Sequence, residues 1–152
     1  SLIIKNKLAD LKDDFWVIID TPPSLGIFTI NALTAADGVV IPVAPDPYAL
    51  IGLKYLKQTI DDIRYTTNKK LKILGFLRTM WDDRSNLVKD IDCELNEMFP
   101  GQVFDAVIRI NVRLKEAAVA GIPVIDYAPK APSAKAYMQL YKEVKSIYDQ
   151  IK

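Results

Sequence analysis

Strand-like and helix-like segments alternate along the whole of this 152-residue chain, and this alternation constrains the fold more than any other feature. Short β-branched apolar runs are typical of buried parallel strands, whereas apolar residues spaced by three and four are typical of helices. The predicted strands are residues 15–20, 38–43, 72–80, 103–108 and 123–127. The predicted helices are residues 2–12, 29–36, 48–64, 87–98, 114–120 and 134–152. The alternation predicts an α/β fold with a mostly parallel sheet and helices on both faces.

The composition predicts a single domain over residues 1–152 and excludes several kinds of site. The chain has no histidine and one cysteine, Cys93, so a Ser-His-Asp or Cys-His catalytic site is excluded, and a zinc or other transition-metal site is not expected. A hard cation with oxygen ligands remains possible. The net charge of +1 indicates that any nucleic-acid surface must be local. With no apolar run near the roughly 20 residues of a membrane span and no leader pattern, we expect a cytoplasmic protein.

The turn at residues 20–26 (DTPPSLG) follows the apolar run of the first predicted strand. A carboxylate at a strand's carboxyl end lies where open α/β sheets bind ligands, so Asp20 is predicted to hold a water on Mg²⁺. The turn is thus predicted to be the metal side of a nucleotide site. Pro22 and Pro23 fix the backbone after Asp20, and together with Gly26 they are predicted to shape a switch loop that senses the γ-phosphate of the nucleotide. For Asp20 the structural alternative is a carboxylate that caps the next turn. For Pro22, Pro23 and Gly26 it is a rigid connector without a switch function.

The chain resembles the ParA/Soj family of partition ATPases over nearly all of its length. The matching segments, in chain order, are residues 15–26 (FWVIIDTPPSLG), 29–37 (TINALTAAD), 40–43 (VIPV), 48–50 (YAL), 52–53 (GL), 79–84 (TMWDDR), 111–117 (NVRLKEA), 121–124 (GIPV) and 134–137 (AKAY). The first of these resembles the family's Walker B and switch II segment. A helix also precedes the first predicted strand, so we expect the chain to be the C-terminal portion of a deviant Walker P-loop ATPase.

The resemblance implies a function for the whole protein. Such an ATPase binds ATP with Mg²⁺, forms a homodimer around the nucleotide, coats DNA without sequence preference and is stimulated by a ParB-type centromere-binding partner. That cycle separates plasmid or chromosome copies, in the cytoplasm and on the nucleoid.

The resemblance also nominates site residues beyond the turn. Arg84 and Arg113 occupy positions that carry DNA binding in similar ATPases, and arginine suits sequence-blind contacts to phosphate. The alternative is that each is a solvated surface charge. The chain departs from the family at residues 108–111 (IRIN), where the family has IPRN, and Arg109 is expected to compensate for the missing arginine. A second departure is Ala128, where the family has aspartate. Lysines could widen the DNA-binding patch, namely Lys115, Lys130, Lys135 and Lys142.

Two neighbouring strand ends are predicted to form an adenine slot, in which apolar faces meet the base and polar groups meet its edge. The slot residues are Thr79, Met80, Asn111 and Val112. For Met80 the alternative is core packing. Trp81 and Cys93 are interpreted as structural.

The phosphate side of a nucleotide site is absent from the printed sequence. None of the six glycines stands in a Gly-Lys-Ser/Thr context. We therefore expect this chain alone neither to bind ATP tightly nor to hydrolyse it. Two other interpretations stay open: a non-enzymatic DNA- or partner-binding module, and a fragment of a membrane-cycling ATPase of the MinD type. The charges of the last helix are balanced and its apolar stripe suits packing on a sheet, which disfavours the membrane interpretation.

Overall fold

The computed structural model describes residues 2–8 and 15–151. The helices are α1 (Ile3–Leu8), α2 (Ile27–Ala35), α3 (Ala49–Thr66), α4 (Asn86–Met98), α5 (Val112–Ala120), α6 (Val124–Tyr127) and α7 (Pro132–Ile151). The strands are β1 (Gly38–Val43), β2 (Lys72–Trp81) and β3 (Val103–Arg109). The strands form a parallel sheet in the order β1-β2-β3. The predicted α/β fold is confirmed. Residues 9–12 of the first predicted helix lie outside the described residues.

The chain divides into two compact units, which are described separately. The first is Ser1–Val39 with Ile51–Ile73, and the second is Val40–Leu50 with Leu74–Lys152. That residues 1–152 form one domain stays a prediction.

In the first unit, Asn68 connects the end of α3 to the end of α2. Its side-chain amide is buried and donates to the carbonyl oxygens of Leu33, at 2.9 Å, and Ala36, at 2.7 Å. The last carbonyls of a helix lack partners within that helix, so these bonds satisfy acceptors that α2 leaves open. Apolar side chains around this connection are fully or nearly buried, among them Leu33, Ile60 and Leu71.

The second unit has its core on β2 and β3. Four buried side chains form the centre of this core, namely Leu77, Phe104, Ala106 and Ile108. Half-buried apolar residues pack against them, and Leu140, Val144 and Ile147 come from one face of α7. Their spacing of four and three residues is the period of a helix face that meets a core. The sheet core therefore depends on the last helix of the chain.

An irregular segment in β3 is held by two side chains of the second unit. Phe76 of β2 pairs with Val103, but Arg78, two residues on, pairs with Val107, so β3 uses extra residues over the same length. The Glu143 carboxylate on α7 accepts from the backbone N–H groups of Asp105, at 2.9 Å, and Ala106, at 3.1 Å. Arg78 Nη2 donates to the carbonyl oxygen of Phe104 at 2.8 Å. A bulge leaves ladder groups unpaired, and these side chains supply the missing partners.

The predicted strand at residues 15–20 is wrong, because the structure shows no β-structure there. The side chains of Phe15, Trp16, Val17 and Ile18 are exposed, and Ile18 is 87% accessible. A parallel strand exists only where a neighbouring strand pairs with its backbone, and the described sheet has its three strands elsewhere. The apolar run indicated burial, but a run of residues cannot provide its own partner strand.

The predicted strand at residues 123–127 is also wrong, since Val124–Tyr127 is the short helix α6. The carbonyl oxygen of Pro123 accepts from the N–H groups of Asp126 and Tyr127, both at 2.9 Å. Proline suits the start of a helix, because it has no N–H to leave unsatisfied and its φ is already fixed. A short apolar run does not by itself distinguish a strand from a buried helical turn.

Candidate functional site

The turn after Asp20 is fixed onto the start of α2. The N–H of Ser24 donates to the carbonyl oxygen of Pro22 at 2.7 Å, and Thr29 Oγ1 donates to the carbonyl oxygen of Ser24 at 2.5 Å. Gly26 is the N-cap of α2, and its carbonyl oxygen accepts from the N–H of Ile30 at 3.1 Å. The predicted switch loop is therefore a compact turn that leads directly into a helix.

Asp20 is exposed at the beginning of this turn. Among the described residues, no group of three or more His, Cys, Asp or Glu side chains could hold a metal ion. The Asp20 carboxylate alone fits Mg²⁺ in one way, as a single oxygen ligand of an ion that keeps several waters and is also bound by phosphate oxygens. The role of Asp20 in metal binding stays a prediction.

The second unit brings the ends of β2 and β3 together, as the predicted adenine slot requires. Thr79 pairs with Ile108, Trp81 pairs with Arg109, and the N–H of Ile110 donates to the carbonyl oxygen of Trp81 at 3.2 Å. Trp81 is buried, which confirms its structural role. The slot residues thus belong to neighbouring strand ends or to the residues that follow them.

Met80 has an unusual backbone at this place. Its φ is +56°, and it is the one described non-glycine residue with positive φ. The left-handed region is unfavourable for a long side chain, and such strain often accompanies functional sites. The register shifts between Thr79 and Trp81, so Met80 falls at the irregularity, and its side chain is 64% exposed. Core packing, the alternative for Met80, is therefore wrong.

Asn111 and Val112 start α5. Asn111 is the N-cap, and its Oδ1 accepts from the N–H of Arg113 at 2.8 Å. Asparagine suits this position because its side-chain oxygen satisfies one of the free N–H groups of the first turn. Val112 is exposed. The Asn111 oxygen is thus used by the helix, and the contact of these two residues with adenine stays a prediction.

Arg84 forms a fork-like ion pair with Asp82, two residues before it. Arg84 Nε donates to Asp82 Oδ1 at 2.8 Å, and Arg84 Nη2 donates to Asp82 Oδ2 at 2.7 Å. The backbone N–H of Arg84 donates to the same carboxylate at 3.2 Å. These hydrogen bonds lower the pKa of Asp82 to about 2 and raise the pKa of Arg84. The Arg84 side chain is 90% exposed, so it remains accessible to a large anion.

The other two nominated arginines are also paired. Arg109 Nε donates to Asp83 Oδ2 at 2.6 Å. Arg113 Nη1 donates to Glu116 Oε2 at 2.7 Å, within α5, and this hydrogen bond raises the pKa of Arg113. The predictions from the sequence missed these acidic partners. The Asp-Asp-Arg run at residues 82–84 was a visible signal for the first pair, whereas Asp83 and Arg109 are 26 residues apart and meet through the register of β2 and β3.

Two open pockets bring these arginines near other residues of the second unit. Arg84 and Arg109 share a pocket of about 370 Å³, lined by Trp81, Asp82, Asp83, Arg84, Arg109 and Ile110. Arg113 and Lys130 share a pocket of about 460 Å³, lined by Arg113, Tyr127, Ala128, Pro129, Lys130 and Ala131. The predicted DNA-binding residues therefore fall into a group around Arg84 and a group around Arg113. The remaining lysines of the proposed patch, Lys115, Lys135 and Lys142, are exposed.

Cys93 is exposed on α4, and its thiol donates to Glu97 Oε1 at 3.5 Å. The hydrogen bond to Glu97 and the charge of that carboxylate raise the pKa of the thiol. A raised pKa leaves little thiolate at neutral pH, which agrees with the structural interpretation of this residue. Separately, no helix among the described residues has both the length and the apolar character of a bilayer span.

Comparison with known proteins finds relatives that are named Soj or ParA. A family model described as an AAA domain matches residues 1–73. The chain is 45% identical over 142 residues to the sporulation initiation inhibitor protein Soj of Bacillus subtilis, covering 93% of this chain and 56% of Soj. It is 44% identical to the chromosome-partitioning ATPase Soj of Thermus thermophilus, covering 84% of this chain and 51% of that protein. It is 43% identical to the chromosome partitioning protein ParA of Myxococcus xanthus, covering 93% and 50%.

Solved structures show the same fold. Cobyrinic acid a,c-diamide synthase from Mycobacterium smegmatis, with a bound ATP analogue and magnesium, matches with a TM-score of 0.73 and 33% identity, covering 90% of this chain and 50% of that one. The septum site-determining protein MinD from Pyrococcus horikoshii, in complex with Mg-ADP, matches with a TM-score of 0.76 and 20% identity, covering 99% and 57%. The latter likeness concerns the fold alone.

The chain spans about half the length of the curated relatives it matches. The similarity nevertheless extends over most of the chain itself, at 43–45% identity to three proteins named Soj or ParA. Over most of its length the chain is accordingly of the ParA/Soj type.

Proposed function

We propose that the protein to which this chain belongs is a partition ATPase that separates chromosome or plasmid copies. The observation that carries the proposal is the 45% identity to Soj over 93% of the chain. The proposal includes nucleotide-dependent homodimerisation, nonspecific DNA binding, a ParB-type centromere-binding partner, and action in the cytoplasm on the nucleoid. The relatives' names support the partition role, and the chemistry of the exposed arginines supports the DNA role.

For nucleotide binding, we assign the metal side of the site to this chain. Asp20 would hold a water on Mg²⁺, and Pro22 and Pro23 would shape the turn that responds to the γ-phosphate. Mg²⁺ would neutralise charge that develops on the phosphate oxygens. The slot for adenine would use Thr79 and Met80 with Asn111 and Val112. The strained, exposed Met80 supports this assignment, because such a backbone is usually kept where a function needs it.

For DNA binding, we assign phosphate contacts to Arg84, Arg109 and Arg113. All three side chains are more than half exposed, so their guanidinium groups are accessible. Guanidinium groups bind phosphate oxygens through paired N–H donors, and such contacts are independent of sequence and weakened by salt. The overall charge of +1 means that binding must depend on these local groups.

The test measures the affinity for a fluorescent DNA duplex of arbitrary sequence. Binding is detected as a rise in the fluorescence anisotropy of the duplex, at a series of salt concentrations. We expect Arg84→Glu and Arg113→Glu each to weaken binding by about tenfold or more and to lower the salt slope by about 0.9 for each lost phosphate contact. Lys69→Glu is the matched control, because it makes the same charge change at an exposed lysine of the first unit. Equal binding by the arginine variants and the control would refute the DNA assignment.

The second candidate is a DNA- or partner-binding module without nucleotide chemistry. It is favoured by the absence of a Gly-Lys-Ser/Thr segment from the printed sequence. Applied to the whole protein to which this chain belongs, the same titration separates the two candidates. A module binds DNA equally with and without Mg-ATP, whereas a partition ATPase binds more tightly with the nucleotide.

A further inference from the structure

Each arginine that we assign to DNA already contacts a carboxylate of its own chain. Arg84 pairs with Asp82, Arg109 with Asp83 and Arg113 with Glu116, at N–O distances of 2.6–2.7 Å. A guanidinium group binds a carboxylate and a phosphate with the same N–H donors. A DNA phosphate that approaches one of these arginines therefore meets a site that an internal anion already occupies.

Asp83 is the clearest of the three cases. Among the described residues its carboxylate is hydrogen-bonded to Arg109 alone, and both side chains are more than half exposed. Asp82 differs, because it also accepts from the backbone N–H of Arg84 and so helps to build the turn. Glu116 differs as well, because it lies one turn from Arg113 on the same helix. Removal of the Asp83 charge therefore changes the ion pair and little else.

We propose that Asp83 is an intramolecular competitor of DNA phosphate at Arg109 and thereby limits the affinity of this protein for nonspecific DNA. This inference rests on the proposed DNA-binding function. When a phosphate displaces Asp83, the freed carboxylate lies beside a polyanion and repels it. The ion pair also holds the guanidinium in one orientation, and DNA must release it before binding.

The proposal predicts a specific salt dependence. Binding of DNA releases cations from the duplex, but an aspartate that loses its arginine partner takes up a cation in return. With Asp83 present, the net number of released cations is smaller. Removal of its charge therefore makes the salt slope steeper as well as the binding tighter.

The experiment measures the affinity of the purified wild-type protein and of four variants for a nonspecific DNA duplex. The single variants are Asp83→Asn, Asp90→Asn and Arg109→Gln, and the double variant combines Asp83→Asn with Arg109→Gln. Asp90 is the matched control, since it is an exposed carboxylate on α4 without a described ion pair. We expect Asp83→Asn to bind about two- to fivefold more tightly, as befits an exposed ion pair, and with a steeper salt slope. Asp90→Asn should change affinity less than about 1.5-fold, because salt screens distant charges.

The double variant tests whether Asp83 acts through Arg109. In the Arg109→Gln background, Asp83→Asn should have no more effect than Asp90→Asn, because the competed arginine is gone. Thermal melts of all variants verify that the fold is kept. If the wild type binds DNA but Asp83→Asn and Asp90→Asn behave alike, the competitor role is overturned while the proposed DNA binding stands. If no variant binds DNA at low salt, the DNA-binding function falls, and the competitor role falls with it.

Discussion

Gly75 shows how tightly the second unit is packed around one aromatic ring. A Cβ atom at this residue would lie 2.7 Å from two ring carbons of Phe104 and 3.0 Å from the carbonyl oxygen of Gln102. Phe104 is 3% exposed and belongs to the sheet core, so a shift of its ring would disturb the packing of that core. The absence of a side chain at residue 75 is therefore a packing requirement.

We expect Gly75→Ala to lower the free energy of unfolding by about 1–3 kcal/mol, as overpacked cores do. Gly52→Ala is the control, because Gly52 lies in α3, where an added methyl group would have no atom within 4 Å, and alanine is the better helix former. The control should raise the free energy of unfolding by about 0.5–1 kcal/mol. Denaturant unfolding measures both changes, and equal shifts of the two midpoints would contradict the packing argument.

The Asp82–Arg84 pair makes a prediction about acid. The hydrogen bonds from Arg84 lower the pKa of Asp82 to about 2, below the ordinary value of about 3.9. Because the folded-state pKa is depressed, the stabilisation by this pair is present above the ordinary value and is lost as the pH falls through about 2. An NMR titration of the Asp82 carboxyl carbon should find this midpoint.

The matched variants for that titration are Arg84→Gln and Lys69→Gln. The first should return the pKa of Asp82 towards its ordinary value, because the donors that favour the carboxylate are gone. The second should leave it at about 2. A wild-type Asp82 that titrates at the ordinary value would show that the ion pair does not persist in solution.

At the scale of elements, Glu143 adds hydrogen bonds to the apolar contact between α7 and β3. Its two carboxylate oxygens accept from consecutive N–H groups of β3, and Ala106 is completely buried. We expect Glu143→Ala to lower the free energy of unfolding by about 1–3 kcal/mol, because it leaves these donors without acceptors. Glu143→Gln keeps one oxygen acceptor and should cost less.

Hydrogen exchange gives the local readout of the same change. The amides of Asp105 and Ala106 should exchange faster in Glu143→Ala, whereas Glu94→Ala, at an exposed position on α4, should leave them unchanged. Unaltered exchange of both amides in Glu143→Ala would mean that other groups satisfy them.

The elements also show what a sequence reveals and where it stops. Helices α3 and α4 and strands β1 to β3 were predicted from periodicity and apolar runs, because those patterns reflect which side of an element is buried. Residues 15–20 and 123–127 were predicted wrongly, since a short apolar run does not state whether a partner strand is present. In α7, Ala136 packs on the core while Tyr137 and Tyr141 are largely exposed, because tyrosine can keep its polar end in water.

The same limit applies to the candidate site. The motif at residues 79–84 pointed to Arg84, and the structure puts Arg84 beside Arg109 in one pocket. The pairing of Arg109 with Asp83 depended on strand register, which the spacing of residues along the chain does not contain. The left-handed backbone of Met80 also could not be predicted from the sequence, because methionine rarely adopts this conformation.

At the scale of the whole molecule, the printed sequence makes a prediction about ATP. It contains no Gly-Lys-Ser/Thr segment to hold the phosphates, so we expect the purified 152-residue chain to release no phosphate from Mg-ATP above background. Asp20→Ala is the control, and it should be indistinguishable from the wild type. Turnover that stays constant through successive purification steps and disappears in Asp20→Ala would contradict the prediction.

The contact of Glu143 with β3 also determines when β3 can complete its folding during synthesis. Residues are added to a nascent chain at about 5–20 per second, so the acceptor follows Asp105, 38 residues earlier, by about two to eight seconds. During that interval β3 has been synthesised but two of its backbone donors have no native partner. The irregular segment of β3 can thus reach its final form only after α7, which carries Glu143, has been synthesised.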